Sequence, residues 1–153
     1  MKLMEFLDRI SADYETSDHR PTFTAQQMAS QQHVPGIKVA KPVIVKADGV
    51  FYMCVLPASY KIDFDTLKRL IAADEIELAT EIEMARLFSD CALGAEPPFG
   101  ILYGLVTFMD TSLEDDDYIV FQGGTHVTSV KMEMGEYKRL ARPRVISFCY
   151  PAL

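Results

Sequence analysis

Lys41 is the residue whose type and position most directly suggest chemistry. Alternation along the apolar stretch at residues 39–46 predicts a β-strand that puts Lys41 on the same face as Val43 and Val45. Burying an ammonium group is costly unless it is paired or its pKa is lowered. In a cleft, such a lysine can stabilise negative charge on a carbonyl or phosphate oxygen, or act as a base. The same alternation is also typical of a lysine near the end of a strand whose ammonium reaches water.

A run rich in glycine and proline, GAEPPFG at residues 94–100, is the second candidate and is called the Gly/Pro loop. Proline fixes φ and removes an amide donor, whereas glycine permits positive φ and close approach of the backbone. The loop should therefore be stiff and sterically open, as recognition of a small group by the backbone requires. The same composition is also typical of a plain surface turn.

His126 follows a Gly-Gly pair and alternates with Thr128 and Val130, so it is expected at the inward end of an apolar strand face. A hydrogen-bonded core histidine has the same pattern. His19 and His33 lie in or beside predicted loops. Since no two histidines have metal-ligand spacing and no Cys-x-x-Cys pair occurs, we predict no metal site.

The three cysteines, Cys54, Cys91 and Cys149, are widely spaced and imply no disulfide framework. Cys91 precedes the Gly/Pro loop and is a candidate nucleophile if it meets His126 in the fold. A small buried thiol is the alternative for this residue.

The length of 153 residues with 49% apolar composition predicts one domain with a proper core. A net charge of −7 argues against a protein that coats nucleic acid, although basic residues enriched between Lys131 and Arg144 would allow contact with one RNA end. The charged N-terminus does not resemble a signal peptide, and no stretch has the apolar length of a membrane span. Together with the unpaired cysteines, this predicts a cytoplasmic protein without membrane contact.

Turn signals and hydrophobic period define the elements that must position these residues. The predicted elements of the first half are a helix at 2–12, an extended segment at 14–16, a helix at 25–32 capped by Thr24 and Gln27, and a hairpin of strands 43–46 and 50–56 turning at Asp48-Gly49. Those of the second half are a helix after Asp63, a strand at 76–79, a helix from the Thr80/Glu83 capping box to 88, a strand at 105–109, a hairpin of 118–121 with 127–134, a helix at 135–141 and a strand at 145–148.

This unequal spacing of hairpins and helices predicts an α+β, or irregular mixed α/β, fold around a mixed sheet. A regular doubly wound sheet is not indicated. The chain contains no Gly-x-Gly-x-x-Gly, Walker or Gly-x-Ser-x-Gly motif, so nucleotide-cofactor and α/β-hydrolase functions lose their support.

Several short motifs occur in a characteristic order over residues 14–148. They are His19 with Thr24-Ala25, the Lys41 strand before Asp48-Gly49, Gly94-x-x-x-Pro98-Phe99-Gly100, Asp110 with Leu113, and Gly123-Gly124-Thr125-His126. In order and spacing, the chain resembles the YbaK and prolyl-tRNA-synthetase-associated editing domains, which hydrolyse mischarged aminoacyl-tRNA. The resemblance implies one YbaK-like domain over residues 1–153, with a mixed, partly barrel-like sheet flanked by helices.

The resemblance also implies a cleft for the aminoacyl-adenosine end of a tRNA. Lys41 matches the family's functional lysine, which orients and neutralises the ester carbonyl or the terminal phosphate. The segments implied to bind substrate are the loop residues Gly94, Ala95, Pro98 and Gly100, the pocket-closing residues Gly124, Thr125 and His126, and His19.

The function implied is that of a freestanding trans-editing deacylase, which removes a small wrong amino acid using water and no enzyme-bound intermediate or cofactor. Its partner is the 3′ aminoacyl end of a tRNA, and an aminoacyl-tRNA synthetase is a further partner that the family allows. Pro42 departs from relatives that carry a polar residue after the lysine, because proline offers no donor. The alternative is therefore a non-catalytic module that recognises an aminoacyl or nucleotide group, or a synthetase.

Overall fold

The structure, a computed structural model, describes residues 2–18 and 38–152. The described helices are α1 Lys2–Arg9, α2 Phe64–Leu70, α3 Glu81–Leu87, α4 Thr111–Glu114 and α5 Met134–Ala141, with a 3₁₀ turn at Gly100–Tyr103. The described strands are β1 Glu15–Asp18, β2 Ala40–Ala47, β3 Val50–Pro57, β4 Tyr60–Ile62, β5 Ile76–Leu78, β6 Val106–Asp110, β7 Tyr118–Gln122, β8 Thr128–Glu133, β9 Arg144–Ile146 and β10 Cys149–Pro151. The helix predicted at 25–32 lies outside the described residues, and no described helix is long and apolar enough to cross a membrane.

The hairpin predicted around Lys41 is confirmed. Strands β2 and β3 pair without interruption from Ala40 opposite Pro57 to Ala47 opposite Val50. The turn has φ of 49° at Asp48 and 82° at Gly49, the left-handed conformation that favours this residue pair. Register and turn together fix which face of the sheet each β2 side chain occupies.

The strands form a mixed sheet, as predicted, beside two smaller ones. The five-stranded sheet has the order β5-β2-β3-β6-β9, in which β5, β2 and β3 are antiparallel whereas β6 and β9 run parallel to β3. A three-stranded sheet of β1-β8-β7 and a pair of β10 with β4 complete the described strands. Each of these sheets has free edges, so the partly barrel-like sheet that was expected does not close into a barrel.

One edge of β2 is only partly covered. Strand β5 pairs with residues 45–47 alone, and the last contact is a hydrogen bond from the Ala79 amide to the Ile44 carbonyl, of 2.9 Å. Main-chain groups alternate along a strand, so Pro42 directs its nitrogen to the edge that faces β5, as Ile44 does, and away from β3. The missing proline N–H therefore costs no bond to β3.

Two apolar clusters pack on the large sheet, on opposite faces of β2. Ile44 belongs to the larger cluster, which includes the ring of Phe99 from the Gly/Pro loop. The fully buried Phe99 ring lies 5.6 Å from that of Phe121 and 5.3 Å from that of Tyr137. Val45 belongs to the smaller cluster. Aromatic packing therefore anchors the Gly/Pro loop to the core.

The helix N-caps predicted from neighbouring residues are confirmed. Asp63 caps α2, and Thr80 with Glu83 forms the complete capping box of α3. Helix α1 ends at Arg9 rather than at residue 12, because Ser11 has a φ of 52° and leaves the helical conformation.

The strand predicted at 145–148 ends at Ile146 as β9, and a separate strand, β10, begins at Cys149. The carboxylate of Asp110 binds the chain between them. One of its oxygens accepts the amides of Phe148 at 2.8 Å and Cys149 at 3.1 Å, and the other accepts the Ser112 amide at 2.9 Å and hydroxyl at 2.6 Å. Burial raises the pKa of Asp110, but these hydrogen bonds outweigh it and hold the pKa below its ordinary value. Asp110 thus joins β6, α4 and β10.

We predict that Asp110→Asn lowers the free energy of unfolding by about 3 kcal/mol at pH 7, because its amide group cannot accept all four hydrogen bonds. A carboxylate with a lowered pKa stabilises the fold above its unfolded pKa of about 4, so the difference from wild type should shrink as the pH falls below that value. Denaturant unfolding at several pH values measures both effects. The exposed Asp115→Asn is the control, and equal stabilities of the two variants would contradict the assigned role.

Candidate functional site

A cleft of about 300 Å³ lies beside the uncovered edge of β2. Its opposite wall is formed by the start of α3 and by residues 93–96. The lining residues are Ala40, Lys41, Pro42, Val43, Ile44, Leu78, Ala79, Glu81, Met84, Leu93, Gly94, Glu96 and Gln122. Lys41 and Gly94, which are more than fifty residues apart in the chain, therefore line the same cleft.

Lys41 is half-buried, and its Nζ donates a hydrogen bond of 3.1 Å to the carbonyl of Ala58. Burial lowers the pKa of the Lys41 ammonium below its ordinary value, and the positive charge of nearby Lys61 acts in the same direction. Lys41 forms no ion pair with a carboxylate among residues 2–18 and 38–152. A poorly hydrated ammonium of this kind interacts strongly with an oxygen that develops negative charge.

The Gly/Pro loop is clamped to the turn at residues 123–127, called the Gly-Gly turn. The Ala92 amide donates to the Gly124 carbonyl, and the Gly124 amide donates to the Ala95 carbonyl, both at 2.9 Å. His126 Nε2 lies 2.7 Å from the Leu93 carbonyl. A carbonyl can only accept, so this nitrogen carries the proton. These bonds fix the opposite wall of the cleft.

The amide groups at the start of the loop already donate hydrogen bonds to acceptors in the loop or just before it. The Gly94 amide donates to Glu96 Oε1 at 3.0 Å, and the Ala95 amide donates to the Ala92 carbonyl at 3.0 Å. Pro97 and Pro98 have no amide hydrogen. Because these amides already have acceptors, the loop contributes the shape of the cleft wall rather than the backbone recognition that its composition predicts.

The predicted site residues fall into groups that the structure separates. Lys41 and Gly94 line the cleft, while Ala95 and Pro98 are buried behind its wall. The Pro98 carbonyl accepts a 2.7 Å hydrogen bond from the hydroxyl of Tyr137. His19 lies outside the described residues.

The Gly-Gly turn contributes its predicted residues to the clamp. Gly124 is buried and has a φ of 95°, the conformation that favours glycine. Thr125 is exposed, and its hydroxyl accepts a 3.4 Å hydrogen bond from the Val127 amide. Through the hydrogen bond from His126 to the Leu93 carbonyl, the turn also supports the cleft wall from outside.

Gly100 is buried where the 3₁₀ turn begins. An added Cβ there would meet Thr107 Oγ1 and would lie 2.9 Å from the Leu105 carbonyl oxygen. Its small size therefore serves packing between the loop and β6.

Two buried polar residues of the cleft are not singled out by the sequence analysis. Gln122 is 6% exposed, and its Oε1 is enclosed without a hydrogen-bond partner among the described residues. Glu96 is 5% exposed and lies within the Gly/Pro loop. The available signals were an amide directly before Gly123 at the end of an apolar strand, and an acid inside an otherwise apolar loop.

Cys91 does not line the cleft. Its Sγ lies 3.3 Å from the Tyr103 hydroxyl and 3.4 Å from an Asp90 oxygen. Burial raises the pKa of the thiol to about 11, which disfavours the thiolate that a nucleophile requires. Within residues 2–18 and 38–152, no three histidine, cysteine or acidic side chains are grouped as a metal site would need.

We predict that Gly100→Ala lowers the free energy of unfolding by about 2 kcal/mol, because the methyl group overpacks the contact with Thr107 and Leu105. Gly135→Ala is the matched control. It lies in α5 with nothing within 4 Å of the added Cβ and should raise stability by about 0.5–1 kcal/mol. Denaturant unfolding compares the two, and an unchanged stability with weakened substrate binding would instead support a substrate role for Gly100.

Comparison with known proteins identifies the family. Residues 19–140 match the aminoacyl-tRNA editing domain. The chain is 27% identical over 152 residues to the Escherichia coli K12 protein named multifunctional Ser/Thr-tRNA deacylase ProXp-y, covering 96% of this chain and 90% of that protein.

Solved structures share the fold. A putative trans-editing enzyme for prolyl-tRNA synthetase superposes with a TM-score of 0.86 at 18% identity, covering 97% of this chain and 95% of its own. A hypothetical protein superposes with a TM-score of 0.88 at 20% identity, covering 98% and 100%. The family match spans most of the sequence, from before the Lys41 strand to α5, and this chain belongs to the aminoacyl-tRNA editing domain family.

Proposed function

We propose that this chain is a freestanding editing deacylase that hydrolyses the ester of a mischarged aminoacyl-tRNA carrying a small amino acid. The observation that carries the proposal is the position of Lys41 opposite Gly94 across one cleft, in a chain of this family. The cleft has room for an aminoacyl group, and Lys41 lines it with its ammonium bonded to the Ala58 carbonyl. The name of the Escherichia coli relative supports the same activity.

The reaction needs little from the protein, because an aminoacyl ester is already activated. A water oxygen attacks the carbonyl carbon, the carbonyl oxygen becomes negative, and the bond to the ribose oxygen then breaks. The ribose oxygen takes up a proton that the attacking water loses, which gives free amino acid and tRNA. The Lys41 ammonium stabilises either the carbonyl oxygen or the neighbouring phosphate.

The lining of the cleft favours direct attack by water. No serine, threonine, cysteine or histidine is among the described residues that line it. Serine, threonine and cysteine are the side chains that commonly form an acyl-enzyme intermediate with an ester. Positioning of the ester between the rigid loop wall and the lysine supplies the remaining contribution to the rate.

The polarity of the cleft supports a small amino acid with a hydroxyl group. Glu81 and Glu96 contribute acidic side chains, which suit the α-ammonium group of an aminoacyl ester. Gln122 has an amide oxygen without a partner among the described residues, and a substrate hydroxyl can satisfy this amide after it rotates. Serine and threonine fit this description, and they are the amino acids in the name of the relative.

The partner in this proposal is the 3′ aminoacyl end of a tRNA, and the compartment is the cytoplasm, where aminoacyl-tRNA is used. An aminoacyl-tRNA synthetase is a further proposed partner. One protein of known structure with this fold is described as a "putative trans-editing enzyme for prolyl tRNA synthetase", which supports a synthetase of that kind.

Lys41→Ala should lower kcat/KM for a mischarged tRNA about 100-fold. This is the usual loss when one preorganised group that stabilises an oxyanion is removed. Release of amino acid from a panel of mischarged tRNAs measures it. Lys46→Ala is the matched control, because Lys46 lies on the same strand but pairs with Glu83 at 3.0 Å. Cys91→Ala should also retain wild-type activity.

Three results would contradict this assignment. Loss of activity in Cys91→Ala alone would indicate a cysteine-dependent hydrolase. Binding of aminoacyl-tRNA without turnover on any tRNA would indicate a binding module. Equal rates for Lys41→Ala and wild type would remove the lysine from the mechanism.

Gln122→Met should reduce hydrolysis of seryl-tRNA relative to alanyl-tRNA about tenfold, because the hydrogen bond to the hydroxyl is lost. Stability should stay constant or rise, since an enclosed oxygen without a partner is removed. The ratio of the two rates and denaturant unfolding measure these effects. Met84→Leu, an apolar exchange in the same cleft, should change both rates equally, and an unchanged ratio in Gln122→Met would contradict the role of the amide.

A further inference from the structure

Lys41 also lines a second groove, on the other face of β2. This groove has a volume of about 300 Å³ and is built mainly by β4, β10 and the start of α2. It is called the β4–β10 groove, and its cationic and aromatic side chains are Lys41, Lys61, Tyr60, Phe64 and Tyr150. Nothing in the reaction described above uses it.

The β4–β10 groove presents aromatic rings to solvent. Tyr150 is 48% exposed and Phe64 is 37% exposed, although both are large apolar side chains. Tyr150 lies directly opposite Lys61 in the β4–β10 register, so the two side chains project from the same face of this strand pair. Exposed rings in a groove are platforms on which planar groups can stack.

Two cations accompany these rings. Lys61 is exposed and lies close enough to Lys41 for its charge to disfavour a second ammonium there. Neither lysine forms an ion pair with a carboxylate among the described residues. The carboxylate of neighbouring Asp63 is directed to its own helix, where it accepts the Thr66 amide at 3.1 Å. The groove is therefore locally positive in a chain whose net charge is −7.

Lysines beside exposed aromatic rings are the combination that binds single-stranded nucleic acid, in which phosphates contact lysines and bases stack on rings. Lys41 connects the groove to the cleft that holds the ester in the proposed function. We infer that the β4–β10 groove binds the single-stranded 3′ end of the tRNA, with a phosphate between Lys41 and Lys61 and a base against Tyr150. This inference rests on the proposed function, which supplies the tRNA.

The location explains how an acidic protein can engage RNA. A chain of this charge gains little from non-specific attraction to phosphates. A short groove with two lysines restricts favourable contact to a few nucleotides. The last nucleotides before the ester are the ones within reach of Lys41, so recognition at the end of the RNA is compatible with repulsion elsewhere.

The test measures binding of the RNA trinucleotide 5′-CCA-3′, which carries no amino acid, and separately the kinetics on mischarged tRNA. Tyr150→Leu should raise the trinucleotide Kd and the KM for tRNA about tenfold, with kcat unchanged, because stacking is lost. Tyr150→Phe keeps the ring and should stay within about twofold of wild type. Lys61→Ala should reduce the slope of log Kd against log salt concentration by about 0.7, the value for one phosphate on a single strand.

Lys68→Ala is the matched control, because Lys68 lines a different groove with Asp48 and Gly49. It should leave Kd, KM and the salt slope unchanged. If Tyr150→Leu and Lys61→Ala behave like Lys68→Ala while wild type hydrolyses mischarged tRNA, the inference is overturned and the proposed function stands. If wild type hydrolyses no tRNA but trinucleotide binding follows Tyr150 and Lys61, the groove is an RNA site and the proposed function is overturned.

Discussion

The candidate site depends on the incomplete pairing of strand β2. Its partner β3 covers the whole strand on one side, whereas β5 covers only residues 45–47 on the other. An unpaired strand edge exposes main-chain groups that attract other strands. Pro42 removes one donor from that edge and thereby discourages further strand pairing. With the start of α3 and residues 93–96 standing opposite, the uncovered edge becomes the floor of a cleft. Lys41 lines this cleft at the strand edge, while alternation along β2 places its side chain on the face of Val43 and Val45.

Rigidity on the opposite side of the cleft comes from contacts distant in sequence. Phe99 fixes one end of the Gly/Pro loop in the aromatic core, and the Gly-Gly turn holds the other end through main-chain bonds at Gly124. Such a wall can limit the size of an amino acid without contributing a reactive group. In the proposed function the wall sets the shape of the cleft, Lys41 supplies positive charge, and water is the nucleophile.

Sequence reasoning succeeded where the signal is local and failed where contacts are distant. Asp48-Gly49 specifies a hairpin turn and Thr80 with Glu83 specifies a helix start, because a few neighbouring residues decide each structure. By contrast, the early end of β9 depends on Asp110, whose carboxylate accepts the Phe148 amide from 38 residues away in the chain. Gln122 likewise enters the cleft only through sheet packing. Strands β4 and β10 have three residues each, too few for a periodic pattern.

The central claim is that the aminoacyl group occupies the cleft between Lys41 and Gly94. The most direct test is a crystal structure with an analogue of seryl-adenosine whose ester is replaced by a stable amide. We predict electron density for the seryl group between β2 and the Gly/Pro loop, with its carbonyl or phosphate oxygen near Lys41 Nζ and its hydroxyl near Gln122. An analogue bound elsewhere, with this cleft filled only by water, would contradict the account.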